Sequence, residues 1–242
     1  MFNTKTKRYL VLLAAIGLVA AALGGTGTFA SFTAETTNSG NFFATGTLLL
    51  SNTITSGTAC LSEGDINHPG ASGNVNSACD IILSGSNLFP GATAISGAVT
   101  IQNVGTIDAS NLLLSTTGCT PHIDVPTASN FNNGNLCNSV EMYVQEWSGS
   151  VGGTPTKCWF GSGSSSTCSP TFIGATTADS IGAFATAFTT PVSLTPSPLA
   201  GLLPISGSRF FTVGLFLPSA GAGDNAFQGL RATFPLTWHI DA

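Results

Sequence analysis

Residues 28–50, TFASFTAETTNSGNFFATGTLLL, separate two segments of opposite character and contain the start of the fold. Before them, a basic start is followed by residues 9–23, an unbroken run of apolar or small residues. This order is that of the n-region and h-region of a secretory signal, and the small residues around Ala30 suit a cleavage site. The run is also shorter than the roughly 20 residues that a membrane-spanning helix needs. We therefore expect residues 1–30 to be a cleaved signal peptide and not a permanent anchor.

The chain after this stretch has the alternating pattern of an all-β protein. Short runs of alternating apolar and polar residues are separated by Gly, Pro, Asn and Ser, which favours strands joined by turns. The runs 95–104 and 109–116 flank a Gly-containing turn and predict an antiparallel hairpin. One short helix is expected at 181–188, capped by Asp179, and Pro235 places the last strand at an edge or a bulge. The expected strands are residues 46–54, 79–84, 95–104, 109–116, 140–147, 157–160, 209–217 and 230–240, which together predict an antiparallel β-sandwich.

Removal of the signal leaves residues 31–242, long enough for a single domain with its own core. This part carries three cations, Lys157, Arg209 and Arg231, against eleven carboxylates. Without a basic cluster it has no footprint for nucleic acid or anionic lipid, so we expect membrane contact only through the signal before cleavage. No sequence feature calls for a cofactor.

All six cysteines follow the expected signal, and an even number in an exported chain indicates disulfides. No CxxC spacing favours a zinc site. Six cysteines allow 15 connectivities. Their order suggests three local pairs, each closing a loop rich in Gly, Asn or Ser: Cys60 with Cys79, Cys119 with Cys137, and Cys158 with Cys168. We therefore expect long loops stapled by disulfides.

Two short motifs are weak candidates for metal binding. On a strand, residues i and i+2 share a face, so an H-x-D pair presents a nitrogen and a carboxylate together. The alternative is a surface histidine beside a solvated aspartate, which we favour because so short a motif is common by chance. The four candidates are His122, Asp124, His239 and Asp241. The chain has no H-E-x-x-H or G-x-S-x-G motif, and Glu141 and Glu146 fall on opposite faces of one strand.

Three blocks of the sequence resemble the TasA/camelysin family of exported biofilm-matrix proteins. The signal end leads through a short polar stretch into Ala44-Thr45-Gly46-Thr47-Leu48, similar to the family's "TAGTL" first strand. Residues 87–91 and 99–109 resemble its "L-x-P-G…V-x-N-x-G-T-L-x-A" block, and residues 224–229 resemble its "D-N-x-x-Q-G" last turn. The cysteine-stapled loops are a departure from the family pattern.

The resemblance implies a jelly-roll sandwich and assembly into extracellular fibres by donor-strand exchange. In that process an N-terminal arm, here residues 31–41, completes the sheet of the next subunit, with Ser31, Phe32, Thr33 and Ala34 as its leading residues. The expected partners are other copies of the chain and other extracellular matrix components. We expect a secreted, non-enzymatic structural subunit of a biofilm matrix or a pilus-like fibre. The alternatives are a secreted camelysin-like metalloprotease that uses the H-x-D pairs, a monomeric surface binding module, and an arm that is only a tail.

Overall fold

The computed structural model describes residues 4–24, 46–71, 73–83, 88–124, 134–161, 168, 179–194, 203–219 and 221–242. The chain divides into two compact units, Met1–Ala44 and Thr45–Ala242. The described part of the first unit is one helix, α1 (Thr4–Gly24). Among the described residues, no helix combines the length and the apolar character needed to cross a membrane.

The second unit is built almost wholly from antiparallel strands, which confirms the predicted all-β class. Its strands are β1 (Leu50–Ile54), β2 (Cys60–Leu61), β3 (Ile95–Asn103), β4 (Asn111–Ser115), β5 (Thr120–Ile123), β6 (Glu141–Ser148), β7 (Thr154–Phe160), β8 (Val192–Ser193), β9 (Ser208–Phe216), β10 (Leu230–Thr233) and β11 (Thr237–Asp241). The helical segments are α2 (Leu136–Ser139), α3 (Ile181–Ala187) and a 3₁₀ segment, Gly221–Phe227.

The strands form one large sheet and two small ones. The large sheet has six strands in the order β2-β1-β3-β9-β6-β7. A three-stranded sheet has the order β11-β4-β8, and β10 pairs with β5 in a two-stranded ribbon. In sequence, β5 follows β4 and β10 precedes β11. The β5–β10 ribbon therefore continues the β4–β11 pair, with the strand pairing interrupted between them.

The hydrophobic core lies between the six-stranded sheet and the three-stranded sheet. Val99, Ile101 and Phe211 enter it from the large sheet, while Leu112 and Leu114 enter it from β4. The rings of Phe211 and Trp238 lie 4.7 Å apart and join the two layers. These inward positions alternate within the expected strands 95–104, 109–116 and 209–217, because alternation along a strand fixes which side chains share a face.

The predicted hairpin of residues 95–104 and 109–116 is wrong. β3 pairs with β1 and β9, whereas β4 pairs with β11 and β8 in the other layer. The connection between them crosses from one layer to the other. It is fixed where the backbone of Ala109 pairs with that of Leu203, with both N···O distances 3.0 Å.

Four predicted strands differ clearly from the observed elements. Residues 79–83 form no strand, and they run so close to Gly97 that the carbonyl of Ile82 occupies the place of a β-carbon there. Residues 46–49 precede β1 and bond to a turn instead of a ladder. The expected strand 230–240 is broken into β10 and β11 around Pro235, in agreement with the missing N–H of proline. β7 also begins at Thr154, earlier than expected.

Helix α3 lies where the i, i+3, i+4 spacing predicts it, with Ile181, Phe184 and Ala185 buried. Its N-cap is Ser180, whose hydroxyl accepts a hydrogen bond from the Ala183 N–H at 3.1 Å, and not the expected Asp179. The short helix α2 is not foreseen by the sequence pattern.

The three local disulfides are present as expected: Cys60–Cys79, Cys119–Cys137 and Cys158–Cys168. Each closes a loop between elements of the sandwich, and the described chain has no free cysteine. Because every bridge joins residues at most 19 apart in sequence, each fixes one loop and none ties distant parts of the chain together.

Candidate assembly site

The leading arm residues Ser31, Phe32, Thr33 and Ala34 lie outside the described residues. The described chain resumes at Gly46, immediately before β1. The contacts that hold this entry point are therefore the described features closest in sequence to the expected arm.

Residues 46–49 are clamped against the turn that follows β3. The Thr47 N–H donates to Oγ1 of Thr106 at 2.8 Å, and the Thr106 N–H donates back to the Thr47 carbonyl at 2.8 Å. The Val104 N–H donates to the Leu49 carbonyl at 2.9 Å. Gly105 lies between these bonds, where a β-carbon would collide with the Thr47 carbonyl. The Gly-Thr sequence of this turn is thus required by close approach of the two backbones.

Asn103 organises the clamp from inside the protein, where it is fully buried. Its Nδ2 donates to the carbonyls of Ile107 at 2.8 Å and Leu203 at 3.0 Å, and its Oδ1 accepts from the Gly105 N–H at 3.0 Å. The "TGTL" and "N-x-G-T" blocks singled out in the sequence therefore form one site. The sequence feature that could have predicted this contact is the asparagine at an inward-facing position of the strand.

The three-stranded sheet has two outer strands, β11 and β8, and neither pairs with a second strand in the described part of the chain. β11 pairs with β4 on one side and with no described strand on the other, and the same holds for β10 beside β5. The Leu194 N–H donates to the Leu112 carbonyl at 2.8 Å, so the backbone of Leu112 faces β8. Alternation along β4 then turns the Leu113 backbone toward its partner His239. The N–H and C=O groups of the β11 residues on either side, Trp238 and Ile240, consequently point away from the sheet.

One face of this edge carries apolar side chains that are only half-buried. The exposed residues Arg231, Thr233 and Pro235 alternate with half-buried ones. The half-buried apolar residues of the edge are Leu230, Ala232, Phe234, Leu236 and Ile240. Trp238 is 7% exposed, and its Nε1 has no hydrogen-bond partner in the described part of the chain. We call this row, residues 230–241, the open edge.

The β1–β2 edge of the large sheet is covered by the loop that the Cys60–Cys79 disulfide closes. The Ser62 hydroxyl accepts from the Leu50 N–H at 3.0 Å, and the Ser62 N–H donates to the Leu50 carbonyl at 2.9 Å. Asn74 Nδ2 donates to the Leu48 carbonyl at 2.9 Å, and Ser62 Oγ donates to Asn74 Oδ1 at 2.6 Å. We call this the covered edge, because loop atoms bond to the backbone of Leu48 and Leu50 at the start of the first strand.

A charged cluster holds the same loop together. His68 is 4% exposed and lies between two carboxylates: its Nδ1 is 3.2 Å from Asp65 Oδ2, and its Nε2 is 3.4 Å from Asp80 Oδ2. Burial opposes a charge on His68, but hydrogen bonding and attraction from Asp65 and Asp80 outweigh burial and raise its pKa. Burial likewise opposes a charge on Asp65, but hydrogen bonds from the backbone N–H groups of His68, Leu61 and Asn67 lower its pKa to about 2.

The two H-x-D motifs lie on different sheets, and their side chains have ordinary partners. His122 Nε2 is 3.1 Å from the Thr233 hydroxyl, and Asp124 forms an ion pair with Arg231 at 3.0 Å. His239 Nε2 is 2.8 Å from the Ser115 hydroxyl, and Asp241 is exposed at the end of β11. The structure therefore does not join these four residues in one site.

In the described ranges, one group of potential ligand atoms lies within 4.8 Å: those of Cys60, Asp65 and His68. The Cys60 sulfur is bonded to Cys79 and offers no thiolate. The Asp65 carboxylate is occupied by the backbone N–H groups of Leu61, Asn67 and His68 and by the imidazole. We assign this group to ion pairing and not to metal binding.

A second buried charge pair was missed by the sequence reasoning. Glu146 is fully buried, and its carboxylate receives Nε and Nη2 of Arg209 at 2.7 Å each and Trp159 Nε1 at 2.8 Å. Arg209 Nη2 also donates to the Leu194 carbonyl at 3.0 Å, which ties β6 and β9 to the segment after β8. The available signal is Glu146 itself, which continues the inward face of Met142 and Val144 and so needs a buried partner.

No protein-family model matches this chain, and no curated protein is similar to it at a significant level. The function of this protein is therefore inferred from its sequence and from the geometry of the two edges.

Proposed function

We propose that this protein is an exported structural subunit that polymerises into extracellular fibres, in which the N-terminal arm of one subunit pairs with the open edge of the next. The observation that carries the proposal is the open edge, where outward-pointing backbone groups accompany a row of half-buried apolar side chains. Unpaired strand edges of this kind bind an additional strand readily.

The two layers of the sandwich are unequal, and this inequality supports the proposal. The large sheet has six strands, whereas the facing sheet has three. A strand added beside β11 would give that sheet four strands, as in each sheet of a jelly roll. It would also cover side chains that are left half-exposed, such as Phe234 and Ile240. The jelly-roll architecture is thus proposed for the assembled subunit.

The expected arm has the composition that such an edge requires. In residues 31–38, Phe32 and Ala34 alternate with Ser31 and Thr33, so one face of an added strand is apolar. Only Glu35 carries a charge. At about 3.3 Å per residue, the stretch 31–45 spans roughly 50 Å when extended, which is enough to reach a neighbouring subunit.

The disulfides agree with an extracellular location. Three bridges in one domain are typical of proteins that fold in oxidising compartments. With cleavage near Ala30, the arm would gain a free end only after export, which would delay assembly until the subunit is outside the cell.

The first experiment removes the donor. The mature chain lacking residues 31–38, and the variant Phe32→Asp, should both yield folded, disulfide-bonded monomers that form no filaments in negative-stain microscopy. Thr33→Asp is the matched control, because it places the same charge on the other face of the added strand. Filaments of normal length from the deletion variant would refute the role of the arm.

The second experiment blocks the acceptor. Ile240→Pro removes an N–H that points away from β4, so pairing within the described sheet should survive while an added strand loses a hydrogen bond. Alone, this variant should not elongate. Mixed with the arm-deleted chain, it should form a complex of two subunits, because one partner supplies the arm and the other supplies the edge. Elongation by Ile240→Pro alone would place the acceptor elsewhere.

A further inference from the structure

We propose that Asp65, His68 and Asp80 form a proton-dependent clasp that keeps the Cys60–Cys79 loop closed over the covered edge. This inference concerns the β1–β2 edge of the large sheet and does not depend on fibre formation. His68 and its two carboxylate partners hold the loop together, and the loop bonds to the backbone of Leu48 and Leu50.

The positions of the two carboxylates favour a positively charged His68 imidazole. A doubly protonated ring offers an N–H to each carboxylate, one at Nδ1 and one at Nε2. A neutral ring has one N–H and one lone pair, so one of the two carboxylates would face a lone pair at 3.2 or 3.4 Å. With His68 charged, the cluster carries one net negative charge. With His68 neutral, two carboxylates lie close together with no cation between them in the described chain.

In the described part of the chain, the charged groups that contact the His68 imidazole are Asp65 and Asp80. Asp65 approaches it from the same turn, and Asp80 approaches it from the segment after Cys79. The neighbouring sulfur atoms belong to the Cys60–Cys79 disulfide and do not titrate. Glu63, in the same loop, is exposed, and the structure gives it no contact with the imidazole.

The loop has little else to hold its middle in place. Ile66 is 95% exposed and Val75 is 65% exposed, so the large apolar side chains of the loop contribute little burial. Its internal contacts are polar: Asn76 Nδ2 donates to the carbonyls of Leu61 and His68 at 2.9 Å each. Opening of the clasp would therefore release these contacts locally, while the disulfide keeps the two ends of the loop together.

The direction of the pH effect follows from the pKa shifts. The pKa of His68 is raised by folding, so its stabilisation is complete below its ordinary value of 6.5 and is lost as pH rises through the folded value. The pKa of Asp65 is lowered, so its stabilisation is complete above its ordinary value of 3.8 and is lost as pH falls through about 2. The clasp is accordingly closed most firmly between pH 3.8 and 6.5.

The test combines an NMR titration with hydrogen exchange on the mature, oxidised protein. The His68 ring should titrate above 6.5 in the native chain, and its pKa should fall in Asp80→Asn, which keeps the imidazole and alters a carboxylate that is 46% exposed. The matched control is Glu63→Gln, which removes one carboxylate from the same loop and should leave the titration unchanged.

Amide exchange then reports whether the clasp closes the loop. At about pH 5, amides of residues 61–78 should exchange several-fold more slowly in the native chain than in His68→Asn. At a pH well above the His68 pKa that the titration gives, the two should converge, since the native ring is then neutral. Comparison at equal pH cancels the intrinsic dependence of exchange on hydroxide. A native His68 pKa at or below 6.5, or an exchange ratio that does not change with pH, would overturn the proposal.

Discussion

Two strand edges of this protein, at β1 and at β11, differ in how they are covered. At the covered edge, a disulfide, two asparagines and an ion cluster bring a loop of turn residues over β1. At the open edge, β10 and β11 present outward backbone groups and half-buried apolar side chains without a described neighbour. Because an exposed strand edge favours pairing, a loop that covers β1 directs association away from that edge and toward uncovered ones such as β11.

The buried Glu146–Arg209 pair provides the largest expected effect and a reference for the comparison. Arg209→Met leaves Glu146 buried without its cation, which typically costs about 3–5 kcal/mol. Because the pair ties β6 to β9, we expect unfolding to become easier throughout the domain. Urea denaturation monitored by tryptophan fluorescence measures the change. A loss below about 1 kcal/mol would mean that water reaches the carboxylate.

Removal of the Cys60–Cys79 disulfide should loosen the covered edge and leave the open edge unchanged. The double variant Cys60→Ser/Cys79→Ser frees a loop whose ends are 19 residues apart, which corresponds to about 3 kcal/mol of lost stabilisation. Hydrogen exchange should increase in residues 61–80 and in β1, while β11 stays unchanged. Equal increases at both edges would show that the bridge stabilises the whole sandwich and not one loop.

Asn103→Ala tests the clamp that holds residues 46–49 against the turn after β3. The substitution removes the hydrogen bonds of the side chain to the Ile107 carbonyl and the Gly105 N–H and one of the two bonds to the Leu203 carbonyl, at a cost of about 1–3 kcal/mol. Thermal unfolding should report this loss. Asn111→Ala, on the neighbouring strand and only half-buried, is the control and should cost less. Equal midpoints for the two variants would contradict the role given to Asn103.

The smallest expected effect lies on the open edge. Arg231→Ala removes an ion pair with Asp124 whose side chains are 54% and 44% exposed, so the cost should not exceed about 1 kcal/mol. If the proposed acceptor is correct, filament formation should also tolerate this change, since Arg231 lies on the exposed face. A strong loss of filaments in this variant would require the arm to cross that face instead.

Some of this architecture follows from sequence and some does not, for definite physical reasons. Alternation identified the inward residues of β3, β4 and β9 because a strand fixes the face on which each side chain lies. It could not identify partners, so the expected hairpin after Asn103 proved to be a crossing between layers. Local disulfides were predictable from cysteine order, since each closes a loop of turn residues.

The two charged clusters show where sequence reasoning stops. His68 sits among glycine, asparagine and proline, which indicate turns and say nothing about which side chains the turns bring together. Its second carboxylate, Asp80, lies beyond the disulfide. Glu146 and Arg209 are 63 residues apart, and the sequence around each gives no sign of the other. Such pairs become visible only when the strand order of the large sheet is known.

The clamp at the start of β1 has a mechanical consequence. Residues 46–49 continue directly into β1, which is paired along its length with β3. A pull on the chain before Gly46 therefore acts along the axis of β1, and the hydrogen bonds of an antiparallel ladder lie across that axis. They are strained all at once, in shear, and cannot be peeled apart one after another. If tension passes from subunit to subunit through the arm, the first strand meets it in the direction in which a sheet yields least.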